Sequence, residues 1–594
     1  MPTYTAPTKD FSFLINEFLE LEKYADVPGF AEAQDLVGPL LDEAAKFCQD
    51  VLQPLNVVGD TQGLKYDPEA KTVTTPEGFK EAYQQYVEGG WPTLTWPSEY
   101  GGQDMPEFLN MPMLEMVCSA NLSFGLTPGL THGAISLLVA YGDDAMKQKY
   151  LPKMISGEWS GVMCLTEPQA GTDLGLVRTK ATPNDDGSYT IEGNKIWISA
   201  GEQDQTENII HLILARLPDA PEGSKGISLF IAPKFMVNDD GSLGERNGFH
   251  CGGIEHKMGI HASPTCVMNY DNAKGWLVGK PHEGLKAMFT MMNAARLYVG
   301  VQGLGIAQVA WQNALDYAEE RPQGRALTGA KNPDKPADMI TVHPDVRRML
   351  WTMKSVTEGM RSLTMYTALQ LDLSHRHPDE AKRQEADDFV QFITPILKSY
   401  QTDMGFEVAS TAMQVYGGNG FIEEYGIAQF MRDIRISMIY EGTNGVQAMD
   451  LVGRKLPKGM GQYLRQFFHP CDAFIREHAE NAAMQEFTKP LQTHVEYLQK
   501  ATLWIAQKGM ADPNNAGAAA VEYQRMCALV VIGWLWAKQA AIALEKRDED
   551  PAFYDSKLAT ARFYFAKVLP GTISLLSSLT AGAKPVMSEG LRGE

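Results

Sequence analysis

The chain has 594 residues, of which 44% are hydrophobic and 21% charged, with a formal net charge of −21. That balance excludes a disordered or fibrous polymer, and the length calls for several cores. The acidic excess, with no local basic patch, argues against nucleic acid or an anionic membrane surface as a partner.

Seven cysteines (Cys48, Cys118, Cys164, Cys251, Cys266, Cys471, Cys527) are odd in number and never spaced C-x-x-C. This argues against a disulfide framework and a zinc site, so no metal is expected and a reducing compartment fits best. The N-terminus lacks a basic segment followed by an apolar run, so no signal peptide is expected and a soluble cytoplasmic protein is predicted.

In "FSFLINEFLELEKY", Phe11, Leu14, Ile15, Phe18 and Leu19 recur at the three-and-four spacing of a one-sided helix, and similar patterns return through Leu137. The texture changes near Ser160. "YTIEGNKIWISAG" predicts a β-hairpin turning at Gly193 and Asn194. The runs Ile209–Leu217 and Gly226–Lys234 have the length and flanks of strands. Helical periodicity resumes near Pro281, with "LTGAKNPDKPADMI" read as a loop. After Leu456 the punctuation "PKGMGQ" introduces a separate helical domain. Its apolar run Cys527–Ala537 falls short of the ~18 residues of a membrane span and reads as a buried helix.

The phosphate loop, the H-E-x-x-H zinc pair and the G-x-S-x-G elbow are all missing from the sequence. The fragments at Gly303 and Gly417 follow helical patterns and lack the third glycine of a dinucleotide fingerprint. Three local constellations remain. "CLTEPQAGTD" (Cys164–Asp173) combines a hydroxyl, a proline turn and small residues, and reads either as a ligand loop or as a surface turn. Trp197 and Ser199 on a strand could flank a flat heterocycle, or Trp197 could be β-core. "QVYGGNGF" (Gln414–Phe421) lies at a helix end, where N–H groups and the dipole would favour a pyrophosphate or ribose, or else it is a glycine helix stop.

In "IYEGTNGVQAMDLVG" a single carboxylate, Glu441, stands in an otherwise neutral stretch. Val446, Met449 and Val452 share one face, so Thr443 or Asn444 is expected to cap a helix just past Glu441. Tyr440 and Met438 are expected to desolvate Glu441 and raise its proton affinity, and Gly442 to let the backbone bend toward a ligand.

Taken in order, "GWPTLTWPSEYGG", "KQKYLPKMISGE", "CLTEPQAGTD", "GNKIWISAG", "HKMGIHASPT", "RPQGRAL", "QVYGGNGF", "MRDIRI" and "YEGTN" resemble the acyl-CoA dehydrogenase family, from Gly90 to Leu456. In length and C-terminal extension the chain is similar to the large bacterial branch of that family. The resemblance implies a mainly α fold with a central β-barrel. Residues 1–159 would form an N-terminal helical domain, 160–280 the barrel, 281–456 a helical bundle and 457–594 an additional helical domain.

It further implies FAD as cofactor, bound between domains and between the subunits of a homodimer or homotetramer. Met163, Leu165, Thr166, Gly171, Thr172, Trp197, Ile198 and Ser199 would contact the flavin. Arg321, Gln323, Gln414, Gly417, Gly418, Thr443, Asn444 and Gly445 would hold the cofactor, and Thr172, Asn293, Arg296 and Gly442 would touch the acyl-CoA. Glu441 matches the family's catalytic base. It would remove the pro-R α-proton as a hydride leaves the β-carbon for flavin N5, giving a trans-2-enoyl-CoA, with the Glu441 N–H and a ribityl hydroxyl polarising the thioester oxygen.

Electron-transfer flavoprotein is the implied acceptor, and the alternatives are a medium- or long-chain fatty acyl-CoA dehydrogenase of β-oxidation or an oxidase using oxygen. A docking scaffold with a vestigial site is the reading from a different class. Departures from the family pattern are His261 where many relatives carry arginine, Ser199 for threonine, and Ala295 where some members place the base. Glu441 is therefore the one family-type base.

Overall fold

The computed structural model describes residues 2–592, so the outermost residues of the first and last expected domains, 1 and 593–594, lie outside it. Seven helices open the chain: Thr8–Phe13 (α1), Phe30–Phe47 (α2), Gln53–Gln62 (α3), Phe79–Glu88 (α4), Glu107–Ala120 (α5), Leu122–Tyr141 (α6) and Asp144–Ile155 (α7). Strands Lys65–Asp67 (β1) and Thr72–Thr74 (β2) form a small hairpin among them. A block of strands follows: Trp159–Cys164 (β3), Lys180–Pro183 (β4), Tyr189–Ser199 (β5), Asn208–Arg216 (β6), Ile227–Pro233 (β7), Phe235–Val237 (β8), Leu243–Arg246 (β9), Phe249–Ile254 (β10) and Thr265–Val278 (β11). The remainder is helical: Gly284–Glu320 (α8), Pro344–Arg376 (α9), Glu380–Tyr416 (α10), Ile427–Ile434 (α11), Asn444–Asp450 (α12), Gln462–Glu477 (α13), Gln485–Ala511 (α14), Pro513–Glu545 (α15), Pro551–Phe563 (α16) and Gly571–Leu579 (α17).

The chain divides into two compact units. One holds Ala44–Met105 and Met116–Tyr298; the other holds the residues up to Glu43, Pro106–Glu115 and those from Val299 onward. In the first unit the strands close on themselves. β11 pairs β5, β5 pairs β4, β4 meets β6 at Lys180 and Arg216, β6 pairs β7, and β7 pairs the far end of β11. This ring is the expected β-barrel; β10 adds to β11, and β3 runs parallel to β6.

β6 and β7 are buried on both faces, which their continuous apolar sequences require. Ile210, Leu212 and Leu214 pack with Ala134, Leu137 and Leu138 of α6, whereas Ile209, Ile213 and Ala215 join Met268 and Tyr270 in a second core. Gly275 sits where β11 passes from β5 to β7. A Cβ there would lie 2.9 Å from the Ile231 carbonyl, so the corner requires glycine.

The hairpin expected at Gly193 and Asn194 does not form. β5 runs unbroken from Tyr189 to Ser199, and β11 pairs both halves of it. Gly193 takes a φ of 150°, which absorbs the local distortion without reversing the chain, and Asn194 donates its amide across to Asn269 instead of turning. The cysteines are all buried, and none forms a disulfide.

In the second unit α9 and α10 pack side by side, and the C-terminal helices cover them. Trp536 Nε1 donates to the Ser355 carbonyl (3.1 Å) and Gln524 Nε2 to the Pro395 carbonyl (2.8 Å), tying α15 to both. Val530, Val531, Ile532 and Leu535 are fully buried, as the apolar run predicts. α6 and α15 are long and apolar enough to cross a membrane, but 72% and 78% of their most apolar windows are buried inside the fold.

α8 and α10 approach so closely at Gly303 and Gly405 that a Cβ on Gly303 would stand 2.2 Å from the Gln401 carbonyl oxygen. Because the clash is with backbone, no side chain can rotate away from it. Gly303→Ala is expected to destabilise this unit by about 1–3 kcal/mol, read as a lower midpoint in urea; an unchanged midpoint would show that the helices separate freely.

The same unit contains a buried ionic network. The Arg361 guanidinium donates to Glu115 Oε1 (2.6 Å), Asp10 Oδ2 (2.6 Å) and Gln308 Oε1 (2.7 Å). The Lys557 ammonium, from α16, donates to Asp10 Oδ1 and to Glu358 Oε2 (2.9 Å), and Lys354 also donates to Glu358. Three acids thus face three bases, and the formal charges cancel inside the fold.

Candidate active site

In the barrel unit the loop after β3 is organised by Glu167. Its buried carboxylate accepts from the Arg178 and Thr179 N–H groups (2.7 and 3.0 Å), the Thr179 hydroxyl (2.6 Å) and the Lys195 ammonium (2.8 Å). Lys195 is fully buried and also donates to the Leu165 carbonyl (3.0 Å). Burial alone would raise the Glu167 pKa, but Lys195 and the other donors hold it at about 2. The ion pair locks the loop from Cys164 to Asp173 against β5, and the Ile196 N–H adds a bond to the Thr166 carbonyl (2.9 Å).

Leu165 and Thr166 are thereby held against Lys195 and Ile196, next to Trp197, Ile198 and Ser199 on β5, with Met163 before them on β3 and Gly171 and Thr172 farther along the loop. Ile198 and Leu165 face the interior, whereas Gly171 and Thr172 are exposed. Trp197 is not β-core: its side chain is 60% exposed, on a left-handed φ of 59°. Such a conformation in a bulky residue costs about 1–3 kcal/mol and persists where surrounding pairing imposes it; here Ile198 pairs Cys266 and Ser199 pairs Thr265. Inside the barrel, burial pushes His211 down to about 3, so its neutral ring is shared between the Tyr270 hydroxyl (2.8 Å) and the Gly201 carbonyl (3.1 Å). On α8, Arg296 donates to Asn293 Oδ1 (3.2 Å) one turn away, with its guanidinium over the Phe289 ring. His261 bridges the Asp60 carboxylate (2.9 Å) and the Lys257 carbonyl (2.9 Å).

In the helical unit the ends of α8 and α10 are brought together by Tyr317 stacked on Tyr416 (centroids 4.1 Å apart). This clusters Arg321 and Gln323 with Gln414, Gly417 and Gly418, all exposed. Gly417 is the C-cap of α10 at φ 62°, so the helix-stop reading of this stretch holds. The macrodipole argument for a pyrophosphate fails here, because a C-terminus carries the negative end.

Glu441 lies in the turn between α11 and α12, half-buried, with φ 57°, and Gly442 follows at φ 79°. Two successive left-handed residues reverse the backbone sharply. Gln447 Nε2 bonds the Glu441 and Gly442 carbonyls (3.3 and 3.2 Å), and Lys398 Nζ bonds the Gly442 carbonyl (3.0 Å). Thr443 is the N-cap of α12 by position, yet its hydroxyl donates back to the Met438 carbonyl (3.2 Å) in place of capping. The Tyr440 hydroxyl donates to Gln302, and the Met438 sulfur accepts from Arg435 (3.6 Å). The stretch alone could not reveal these partners, which come from α8 and from the turn before it.

Lys195, Glu167 and Lys398 were missed by sequence reasoning. The first two lie inside quoted motifs with opposite charge. Lys398 is the one charge in the apolar run "FITPILKSY". A charge isolated in such surroundings was the available signal.

Models of the acyl-CoA dehydrogenase N-terminal, middle and C-terminal domains match residues 39–158, 162–273 and 282–456. A model described as acetyl-CoA dehydrogenase C-terminal like matches 467–589. The chain is 43% identical to 3-methylmercaptopropionyl-CoA dehydrogenase of Ruegeria pomeroyi, over 96% of each chain. The chain belongs to the acyl-CoA dehydrogenase family. It is also 36% identical to a butyryl-CoA dehydrogenase of Syntrophomonas wolfei, over 97% of each. An acyl-CoA dehydrogenase from Bacillus anthracis solved with FAD shares its fold, with a TM-score of 0.69 at 19% identity, covering 98% of this chain and 89% of that one. As an acyl-CoA dehydrogenase the chain is an FAD-dependent oxidoreductase acting on acyl-CoA.

The residues described fit a flavin. An indole turned outward on a strained strand, beside the Ser199 hydroxyl, offers a flat face and a hydrogen-bonding group. At Gly171 in the barrel unit, and at Gly418 and Gly445 in the helical unit, a Cβ would meet nothing within 4 Å, so the space over each is open.

Proposed function

We propose that Glu441 is the base that removes the α-proton of the acyl-CoA and that the favoured substrate is 3-methylmercaptopropionyl-CoA, oxidised to its trans-2-enoyl thioester. The observation that carries the assignment of the base is a carboxylate on two consecutive left-handed residues, Glu441 and Gly442, held from below by donors to their carbonyls. The substrate reading is supported by 43% identity along the whole chain, C-terminal extension included. The butyryl-CoA relative at 36% supports a short linear chain as the second reading.

FAD, when bound, accepts the hydride from the β-carbon. Met163, Leu165, Thr166, Gly171, Thr172, Trp197, Ile198 and Ser199 would hold the isoalloxazine, and Arg321, Gln323, Gln414, Gly417, Gly418, Thr443, Asn444 and Gly445 the remainder of the cofactor. Thr172, Asn293, Arg296 and Gly442 would bind the thioester ligand. The Glu441 N–H would donate to the thioester oxygen as the α-carbon loses its proton, stabilising enolate charge. Electrons would pass to electron-transfer flavoprotein, in a cytoplasmic homodimer or homotetramer. The spans 1–159, 160–280, 281–456 and 457–594 are proposed as domain limits; the matched models fall one within each.

Purified protein is expected to be yellow and to bleach under anaerobic acyl-CoA. Across a panel of thioesters with an artificial acceptor, kcat/KM is expected to be highest for 3-methylmercaptopropionyl-CoA and lower for butyryl-CoA. Butyryl-CoA lacks the sulfur and is one chain atom shorter, and a missing chain atom in an apolar pocket makes the expected ratio about 10–200-fold. A reversed ranking would overturn the substrate reading while leaving the base untouched.

A further inference from the structure

Lysine seldom sits fully buried, because its ammonium loses the hydrating water unless partners replace it. Lys398 is buried completely, in the middle of α10, directly beneath the Glu441 turn. Its ammonium donates to the Gly442 carbonyl (3.0 Å) and to Asn444 Oδ1 (2.9 Å). The Asn444 amide in turn donates to Asp403 Oδ1 (2.7 Å), the Thr402 hydroxyl (3.0 Å) and the Ser399 carbonyl (3.3 Å). Residues one and three past Glu441 are therefore both fastened to α10, by one cation and one amide.

We infer that Lys398 is a positioning residue for Glu441: its ammonium fixes the left-handed turn at Gly442 and so aims the carboxylate at the α-carbon of the substrate. The inference rests on Glu441 being the base. An apolar side chain of equal length would fill the same slot in α10. What it would remove is the donor to the Gly442 carbonyl, which has Gln447 as its other partner (3.2 Å), together with the donor to Asn444 Oδ1. With that donor gone, the two residues at φ 57° and 79° lose a restraint that opposes their relaxation toward ordinary backbone. A shift of about 1 Å at a reacting group costs about 10²-fold in rate, whereas groups that bind the rest of the thioester keep their places.

The test uses full-length FAD-loaded protein and the variants K398M, K398Q and E441Q, with rates expressed per bound flavin. K398M keeps the stem and loses charge and donor; K398Q keeps a donor without charge. For K398M, kcat is expected to fall about 10²-fold with KM within about threefold of the parent, and exchange of the acyl-CoA α-hydrogen with D2O to slow by the same factor. K398Q is expected to recover a part of both rates. A role confined to packing would lower yield or melting temperature and leave the rate per flavin and the exchange rate unchanged. K398M or K398Q with parental kcat and exchange, beside an inactive E441Q, would overturn the positioning role alone. Failure of both Lys398 variants to retain flavin would overturn it in favour of packing. An active E441Q would instead overturn the assignment of the base, and the role of Lys398 with it.

Discussion

Glu441→Gln is expected to lower kcat by about 10²–10⁴-fold, the usual contribution of a placed base, while the protein stays yellow. Glutamine has nearly the same shape and cannot accept the α-proton. The bonds that hold the turn run to the main-chain carbonyls of residues 441 and 442, and the substitution leaves those carbonyls in place. Anaerobic flavin bleaching at saturating acyl-CoA is the direct measurement, because it reads proton and hydride removal apart from reoxidation. Activity within tenfold of the parent would mean that another group takes the proton. Ala295, at the position where some family members carry their base, has no titratable side chain.

Arg361→Met is expected to destabilise the helical unit by about 3–5 kcal/mol, the range for removing one partner from a buried pair. Arg361 is 1% exposed and serves Glu115, Asp10 and Gln308 at once. Methionine would fill part of its volume but leave two carboxylates facing each other without water. Trp536 lies next to the network, with the Lys557 ammonium 5.5 Å from its ring centroid, so tryptophan fluorescence during urea unfolding would report the loss. A midpoint equal to the parent's would show that the network has no net worth here.

The network also fixes an acid dependence. Burial alone would raise the Asp10 carboxyl, but Lys557 and then Arg361 override it and hold the group at about 2, against 3.8 for an unperturbed aspartate. A carboxylate lowered in the folded state adds stability that is complete above pH 3.8 and is lost as pH falls through about 2. The parent is therefore expected to lose this contribution between roughly pH 4 and 2. In Arg361→Met the Asp10 carboxyl should titrate higher, and the loss should begin at a higher pH.

The order of helices, strands, helices and helices could be read from the chain, because a period of 3.6 or an unbroken apolar run is a local property of consecutive residues. Strands β6 and β7 and the buried core of α15 lie where those runs stood. The isolated carboxylate of Glu441 was legible for a similar reason: a lone charge among neutral residues calls for an explanation. Misreadings arose where one local signal has two solutions. Gly193 and Asn194 permit a reversal or a distortion within a continuing strand, and pairing with β11 chose the second. The glycines after Val415 fit either end of a helix, and α10 arriving from the N-terminal side made them a stop.

The sequence by itself determined the elements and the family, since both reside in residue types and short spacings. Tertiary structure alone decided what holds them. Lys557 reaches Asp10 across 547 positions, and Arg361 reaches it across 351. Lys398 meets Gly442 across 44. No periodicity encodes such pairings, because they depend on how whole helices pack, and a buried charge can be satisfied by any opposite or accepting group that the packing brings within 3 Å.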